Sequence, residues 1–201
     1  MRLAVTVGFD ADLVVRALAN INADEIYLVR GVTGGEGDAK SEVTVRSILK
    51  ALRRGEERVV DLRDLPTGLR QMAQIPFDAV ALAGGPRALV IVAFVAAVVK
   101  RAGLFLVPEY SPHPVDVSGF VSLVALGRVS RKKLEILAAL NSEAEVEEVA
   151  RAVGIDVSTA YRHLSSLEEA GLVKGVGGRK KKYSVDPLVV ALASLFLQNS
   201  G

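Results

Sequence analysis

Hydrophobic positions in residues 1–107 alternate between two periods. RLAVTVG (2–8), EIYLVRG (25–31), ERVVDL (57–62), DAVALAG (78–84) and GLFLVPE (103–109) are short apolar runs bounded by turn residues, and they read as strands. ADLVVRALANI (11–21), AKSEVTVRSILKALRR (39–54), a short segment from Pro66 to Ile75 and PRALVIVAFVAAVVKRA (86–102) read as helices. In the second helix Val43, Val45, Ile48, Leu49 and Leu52 are expected near one face. Strands alternating with helices require right-handed crossovers, so the expected fold is α/β: a Rossmann-like, mostly parallel sheet covered by helices on both sides. The nearly continuous apolar content of the fourth and fifth strands places them centrally. Pro108, Pro112 and Pro114 then mark a loop, VDVSGFVSLVAL (115–126) reads as one more strand or hairpin, and a boundary is expected near Gly127.

The pattern changes from Ser130 onward. RKKLEILAAL (131–140) is one helix. Ser142 with Glu145 forms a capping-box signature for a second helix that runs to Val153, with Val146, Val149 and Ala150 inward. Gly154 ends it. Asp156 can cap a third helix, VSTAYRHLSSLEEA (157–170), in which Ala160, Leu164 and Leu167 share a face and after which Gly171 acts as the stop. LVK, GVGG, RKKK and YSV (172–185) form a hairpin with a basic arm. A last helix starts at Asp186-Pro187 and is apolar nearly all round through LVVALASLFL (188–197), so either its own domain or a second subunit must cover it. Residues 128–201 are therefore read as a C-terminal winged helix-turn-helix domain, and residues 1–127 as a separate α/β domain.

Composition narrows the chemistry. With 25 Lys and Arg against 23 Asp and Glu the net charge is only +2, so affinity for nucleic acid has to come from a local cluster. Residues 1–127 carry 14 basic and 14 acidic side chains and residues 128–201 carry 11 and 9, so placement matters more than balance. There is no cysteine, which removes disulfides, thiolate metal sites and thiol nucleophiles. His113 and His163 are far apart and lack metal-ligand spacing, so neither metal nor cofactor is expected. Met1-Arg2 leads straight into a strand-like run, and the longest charge-free apolar stretch, Ala88 to Val99, is shorter than the roughly 18–20 residues of a membrane span. A cytoplasmic protein without membrane contact is the expectation.

In a winged helix two helices brace a third, whose N-terminal residues reach base edges in the major groove while the wing meets phosphate. The side chains of the third helix not needed for packing are Val157, Ser158, Thr159, Tyr161, Arg162 and His163. Arg162 suits a guanine edge, Val157 a thymine methyl, and Ser158, Thr159 or Tyr161 a phosphate. Arg179, Lys180, Lys181 and Lys182 concentrate four cations on the wing, although the same run could serve only as a solvated strand edge. Residues 130–183, and STAYRHLSSLEEAGLV in particular, resemble the winged-helix DNA-binding domains of bacterial and archaeal transcription regulators. Double-stranded DNA is the implied partner.

The α/β domain places three loops at the carboxyl ends of its strands, the edge where open parallel sheets bind ligands. These are Gly8-Phe9-Asp10, the GVTGGEGD loop (31–38) with Thr33 and Gly34, and Gly84-Gly85-Pro86-Arg87. Each stands at or before a helix N-terminus, where free amides favour an anion, and Arg87 adds a charge. The second loop has no cation, so Thr33 and backbone amides are its expected contacts. Neither a dinucleotide fingerprint nor a Gly-Lys-Ser/Thr phosphate loop is present, and each glycine cluster taken alone reads as a turn before it reads as a site; three on one edge, joined to a DNA-binding module, favour a ligand sensor.

A Rossmann-like domain with a short loop after its first strand, a Gly-Gly-x-basic loop after its fourth, and a C-terminal winged helix resembles the CARF-domain transcriptional regulators of archaeal CRISPR-Cas systems. The resemblance implies a homodimer that binds a cyclic oligoadenylate, cyclic tetra-adenylate foremost, across its two-fold axis and thereby controls CRISPR promoters. Gly8-Phe9-Asp10 matches the first ligand loop of the family and Gly84-Gly85-Pro86-Arg87 the second. Where family members often carry an acidic or amide residue and then a hydroxyl ahead of the glycines, this chain has Ala81 and Ala83. Some related CARF proteins are ring nucleases that cleave the cyclic ligand. That activity is the alternative to pure sensing, and an α/β domain used only for dimerisation is a third reading.

Overall fold

The computed structural model describes residues 1–140, 143–177 and 181–199. It divides into two compact units, Met1–Val121 and Ser122–Gly201. The division falls ahead of Gly127 because Leu126 is buried in the apolar core of the second unit, with Ala125 packed against that core.

The first unit runs β1 (Arg2–Val7), α1 (Ala11–Asn20), β2 (Glu25–Val32), α2 (Gly37–Leu52), β3 (Glu56–Asp61), α3 (Leu65–Gln74), β4 (Ala79–Leu82), α4 (Arg87–Lys100), β5 (Gly103–Leu106) and β6 (Val115–Asp116). The sheet order is β3-β2-β1-β4-β5-β6. β1 to β5 pair in parallel and β6 is antiparallel to β5. Successive residues of β1 serve opposite faces, as the two-residue period of a strand requires. Leu3, Val5 and Val7 join α1 and α2 in one core, while Ala4 joins the core that contains Met72 of α3 and Leu89 of α4. β4 is buried throughout, as a central parallel strand should be. β5 is not central: only Leu104 of its four residues is buried, because its outer neighbour β6 is two residues long.

Two local expectations change. Val43 is 68% exposed, while Ser41, Val45 and Ile48 are buried. At 100° per residue, 41, 45 and 48 form one stripe and 43 falls on the far side of it. VDVSGFVSLVAL is not a hairpin, since only Val115–Asp116 is strand. The Asp116 carboxylate accepts the Ser118 amide at 2.8 Å, and the Ser118 hydroxyl accepts the Leu104 amide at 2.9 Å. A side chain thereby takes the place of the next ladder bond, and the backbone turns into a 3₁₀ segment, Ser118–Ser122.

The second unit contains α5 (Leu123–Leu126), α6 (Arg131–Ala139), β7 (Ala144–Glu145), α7 (Val146–Val153), α8 (Val157–Glu169), β8 (Lys174–Val176), β9 (Lys182–Ser184) and α9 (Pro187–Gln198). The strands form an antiparallel sheet in the order β7-β9-β8, completing a winged helix-turn-helix. Asp156 caps α8 by accepting the Thr159 amide at 2.9 Å, and Gly154, at φ 67°, closes α7 in the left-handed region that favours glycine. The expected cap at Ser142 lies outside the described residues. α7 starts later, at Val146, where Glu148 accepts the Glu145 amide at 2.8 Å, because Ala144 and Glu145 are committed to pairing with Tyr183 and Lys182. Val149 and Ala150 are buried as expected, while Val146 is half-buried. α9 packs against α6, with Val189 and Ala193 in the core, so its own unit covers that side while Leu195 is 53% exposed. Among the described residues no helix is long and apolar enough to cross a membrane.

Candidate ligand cleft and nucleic-acid interface

The sheet order puts β1 next to β4, and their following helices α1 and α4 belong to opposite faces. A crevice is expected where that reversal occurs. A cleft of about 320 Å³ lies there, lined by Gly8, Phe9, Gly31, Thr33, Gly37, Asp38, Ser41, Gly85 and Pro86. The first and third glycine loops touch: a Cβ on Gly8 would lie 2.6 Å from the Gly85 nitrogen. Gly85 has φ 100°, and a Cβ there would meet the Val7 carbonyl oxygen at 2.9 Å. These glycines are needed for backbone approach as well as for the turn.

A residue of β1, outside all three glycine loops, holds this one. Thr6 is fully buried, and its Oγ1 accepts the Ala83 amide at 3.0 Å and the Gly84 amide at 3.3 Å. Ala81 and Ala83 themselves are buried in the core on the α1/α2 face. The hydroxyl at this corner therefore comes from β1, and its only trace in the sequence was a threonine inside an otherwise apolar strand.

Several expected ligand contacts have other duties. Asp10 caps α1, accepting the Asp12 amide at 2.8 Å, and is not part of the cleft lining. Pro86, expected as the first residue of its helix, is instead the cap of α4, with ψ 142°. Arg87 is exposed at the first helical position and is absent from the lining, as are Gly34 and Gly84. The amides of the second loop, expected to face a ligand, are already occupied. The Asp38 carboxylate accepts from the Thr33 amide at 3.0 Å, the Thr33 hydroxyl at 2.9 Å and the Gly34 amide at 2.7 Å. The Thr33 amide, with Gly34 and the hydroxyl adding to it, holds Asp38 below the usual carboxylate range. Phe9 lies at the same end, 63% exposed, with Lys40 Nζ 5.9 Å from its ring centroid. Lys40 is thus a cation at this edge that belongs to none of the three loops.

In the second unit α8 separates its two roles by face. Ala160, Leu164 and Leu167 are fully buried, whereas Val157 is 46% and Tyr161 55% exposed. Val157, Ser158, Tyr161 and Arg162 line an open groove together with Val146 and Glu147 of α7. Arg162 donates to Thr159 Oγ1 at 3.0 Å, and Asp156 accepts from Ser158 Oγ at 2.6 Å and Thr159 Oγ1 at 2.7 Å. The Ser158 hydroxyl and the two Thr159 groups keep the Asp156 carboxyl far below its ordinary range. His163 is half-buried, and burial first, then Lys133, lowers its pKa, so it stands apart from the exposed set.

Two of the four cations expected on the wing fall among the described residues. Arg179 and Lys180 lie outside the described residues. Lys181 is paired with Glu168 of α8 at 2.6 Å and lies 5.2 Å from the Tyr183 ring centroid, and the Glu168 bond raises its pKa. Lys182 is exposed. Among the described residues no cluster of His, Cys, Asp or Glu could hold a metal ion.

Comparison with known proteins matches residues 1–110 to the Csa3 CRISPR-associated Rossmann-like domain and residues 131–176 to a helix-turn-helix domain. The chain belongs to the Csa3 family. It is 40% identical over 202 residues to the CRISPR locus-related Csa3 of Thermoproteus tenax, which is named as a DNA-binding protein, covering 100% of this chain and 99% of the relative. The Csa3 domain match includes every residue of the cleft, and the helix-turn-helix match spans α6 to β8. Among solved structures, the homodimeric winged helix-turn-helix DNA-binding domain Mb0332 of Mycobacterium bovis is 28% identical, with 41% of this chain and 82% of that one covered and a TM-score of 0.34. Reduced HlyU of Vibrio cholerae is 25% identical, with 41% and 88% covered and a TM-score of 0.32.

Proposed function

We propose that this protein is a DNA-binding regulator of CRISPR-locus genes that acts as a homodimer and senses a cyclic oligoadenylate, cyclic tetra-adenylate foremost, in the cleft of its α/β unit. One observation carries the DNA reading: α8 buries one face completely and leaves Val157, Ser158, Tyr161 and Arg162 together on an open groove. A reading helix needs that division, since it must be braced from behind and bare in front. The Csa3 relative from Thermoproteus tenax, named for DNA binding, supports it.

The sensing reading is supported by the meeting of Gly8 and Gly85 at the start of α4, where the backbone is bare enough for a close ligand approach. For the dimer, Leu65, Pro66, Leu69, Ala88, Ile91, Val92 and Val95 line an apolar groove between α3 and α4, with Ile91 62% and Leu65 53% exposed. This groove is the face through which we place the second copy, and a two-fold dimer matches a DNA site built of two half-sites.

Arg162→Ala tests the assignment of α8. Loss of one bidentate base contact is expected to cost about 1–3 kcal/mol on a promoter duplex and much less on a random duplex. Lys182→Gln should weaken both duplexes alike and flatten the salt dependence. Fluorescence anisotropy on the two duplexes at several salt concentrations measures both effects, and equal losses on both duplexes for Arg162→Ala would refute the reading role.

A further inference from the structure

The two ends of the cleft differ in chemistry. At the Thr33–Gly34 end, the amides that would cradle a phosphate are filled by a carboxylate of the same chain, with Asp38 accepting three donors within 3.0 Å. An ionised carboxylate already in the nest denies those amides to a ligand phosphate, and the cation at this end, Lys40, lies at the Phe9 ring, 5.9 Å from its centroid. Phe9 stands beside this plug. Its carbonyl accepts the Thr44 hydroxyl at 3.3 Å, and the far edge of its ring lies over Gly37, where a Cβ would come within 2.9 Å of Cζ. The ring is 63% exposed and lines the cleft. Aromatic faces in such a place bind nucleobases by stacking, without requiring a particular hydrogen-bond pattern. The size agrees: about 320 Å³ is at the small end of ligand pockets, room for one nucleotide unit of a larger ring.

We infer that Phe9 is a stacking platform for a nucleobase of the ligand, and that Asp38 is a built-in anion which confines ligand phosphate to the Gly8–Gly85 end of the cleft. This rests on the reading that the cleft binds a cyclic oligoadenylate. It adds which part of the nucleotide each end receives, and it makes Asp38 a specificity-determining residue.

The chain contains no tryptophan, which allows a direct optical test. In the full-length Phe9→Trp protein the new indole is the sole one, and cyclic tetra-adenylate should quench its emission while inorganic phosphate leaves it unchanged. Calorimetry with cyclic tetra-adenylate should show Phe9→Ala binding about five- to 150-fold more weakly than wild type, with Phe9→Trp close to wild type. Inorganic phosphate should compete with cyclic tetra-adenylate more strongly in Asp38→Asn than in wild type. Because Phe9 is exposed, a thermal melt should show Phe9→Ala folded like wild type. Wild-type binding that Phe9→Ala retains within twofold, or binding by Phe9→Trp without quenching, would overturn the stacking role. Equal phosphate competition in wild type and Asp38→Asn would overturn the role of Asp38. If wild type does not bind cyclic tetra-adenylate at all, the sensing reading falls, and this inference falls with it.

Discussion

Gly85→Ala is expected to abolish cyclic tetra-adenylate binding and to lower the melting temperature of the α/β unit by roughly 10 °C. At φ 100° an alanine is strained by about 1–3 kcal/mol wherever it sits. Here the space is also taken: the new Cβ would lie 2.9 Å from the Val7 carbonyl oxygen and 2.9 Å from Leu89 Cδ2, and the first of these is backbone that cannot rotate away. Overpacking adds about 1–3 kcal/mol. The shift that relieves it must separate the β1 and β4 loops, which are the floor of the cleft. Gly171→Ala, in the winged-helix unit, is the comparison for strain without crowding, because its φ is 71° but nothing lies within 4 Å of the added Cβ. That substitution should show the strain cost alone, without loss of ligand. Differential scanning calorimetry and isothermal titration of both variants check the pair.

Leu164→Ala should cost about 2–5 kcal/mol and eliminate DNA binding while leaving nucleotide binding intact. Leu164 is fully buried and shares a core with Ile136, Leu137, Leu167 and Tyr183, so truncation leaves a cavity under the reading helix. A unit this small has only several kcal/mol of net stability, so the loss is a large fraction of it. The expected calorimetric trace has a low-temperature transition for the winged helix and an unshifted one for the α/β unit. A single transition at the wild-type temperature would show that the helix is not braced as described.

Much of the fold was legible because periods of two and 3.6 residues alternate cleanly through the first unit, and because Asp156 and Gly154 are chemically suited to the ends of α7 and α8. Expectations failed where a polar side chain replaced a backbone partner. Ser118 stands in for a ladder bond and turns an expected hairpin into a 3₁₀ segment. α7 begins only at Val146 because Ala144 and Glu145 pair with β9, a contact distant in sequence. The cleft was legible as three glycine loops on one edge, but which groups are free to bind was not. Thr6 and Lys40 act through partners 77 and 31 positions away in the chain, distances at which no local pattern reports them, whereas Asp38 folds back on Thr33 of its own loop, where the residue types alone suit a ligand contact as well as an internal cap. The wing shows the same limit, since Lys181 reads as one more cation until Glu168 of α8 is seen beside it.

On the proposed function, nucleotide occupancy of the cleft is coupled to DNA recognition by α8. The most direct measurement is the affinity of the full-length protein for a promoter duplex from its own CRISPR locus and for a random duplex, each with and without saturating cyclic tetra-adenylate at fixed salt. Coupling free energies between sites are typically about 1–3 kcal/mol, so the ratio of promoter to random affinity should change by about five- to 150-fold on adding the nucleotide. The change should vanish in Gly85→Ala. A promoter affinity that is the same with and without the nucleotide, in wild-type protein shown by calorimetry to bind it, would contradict the account.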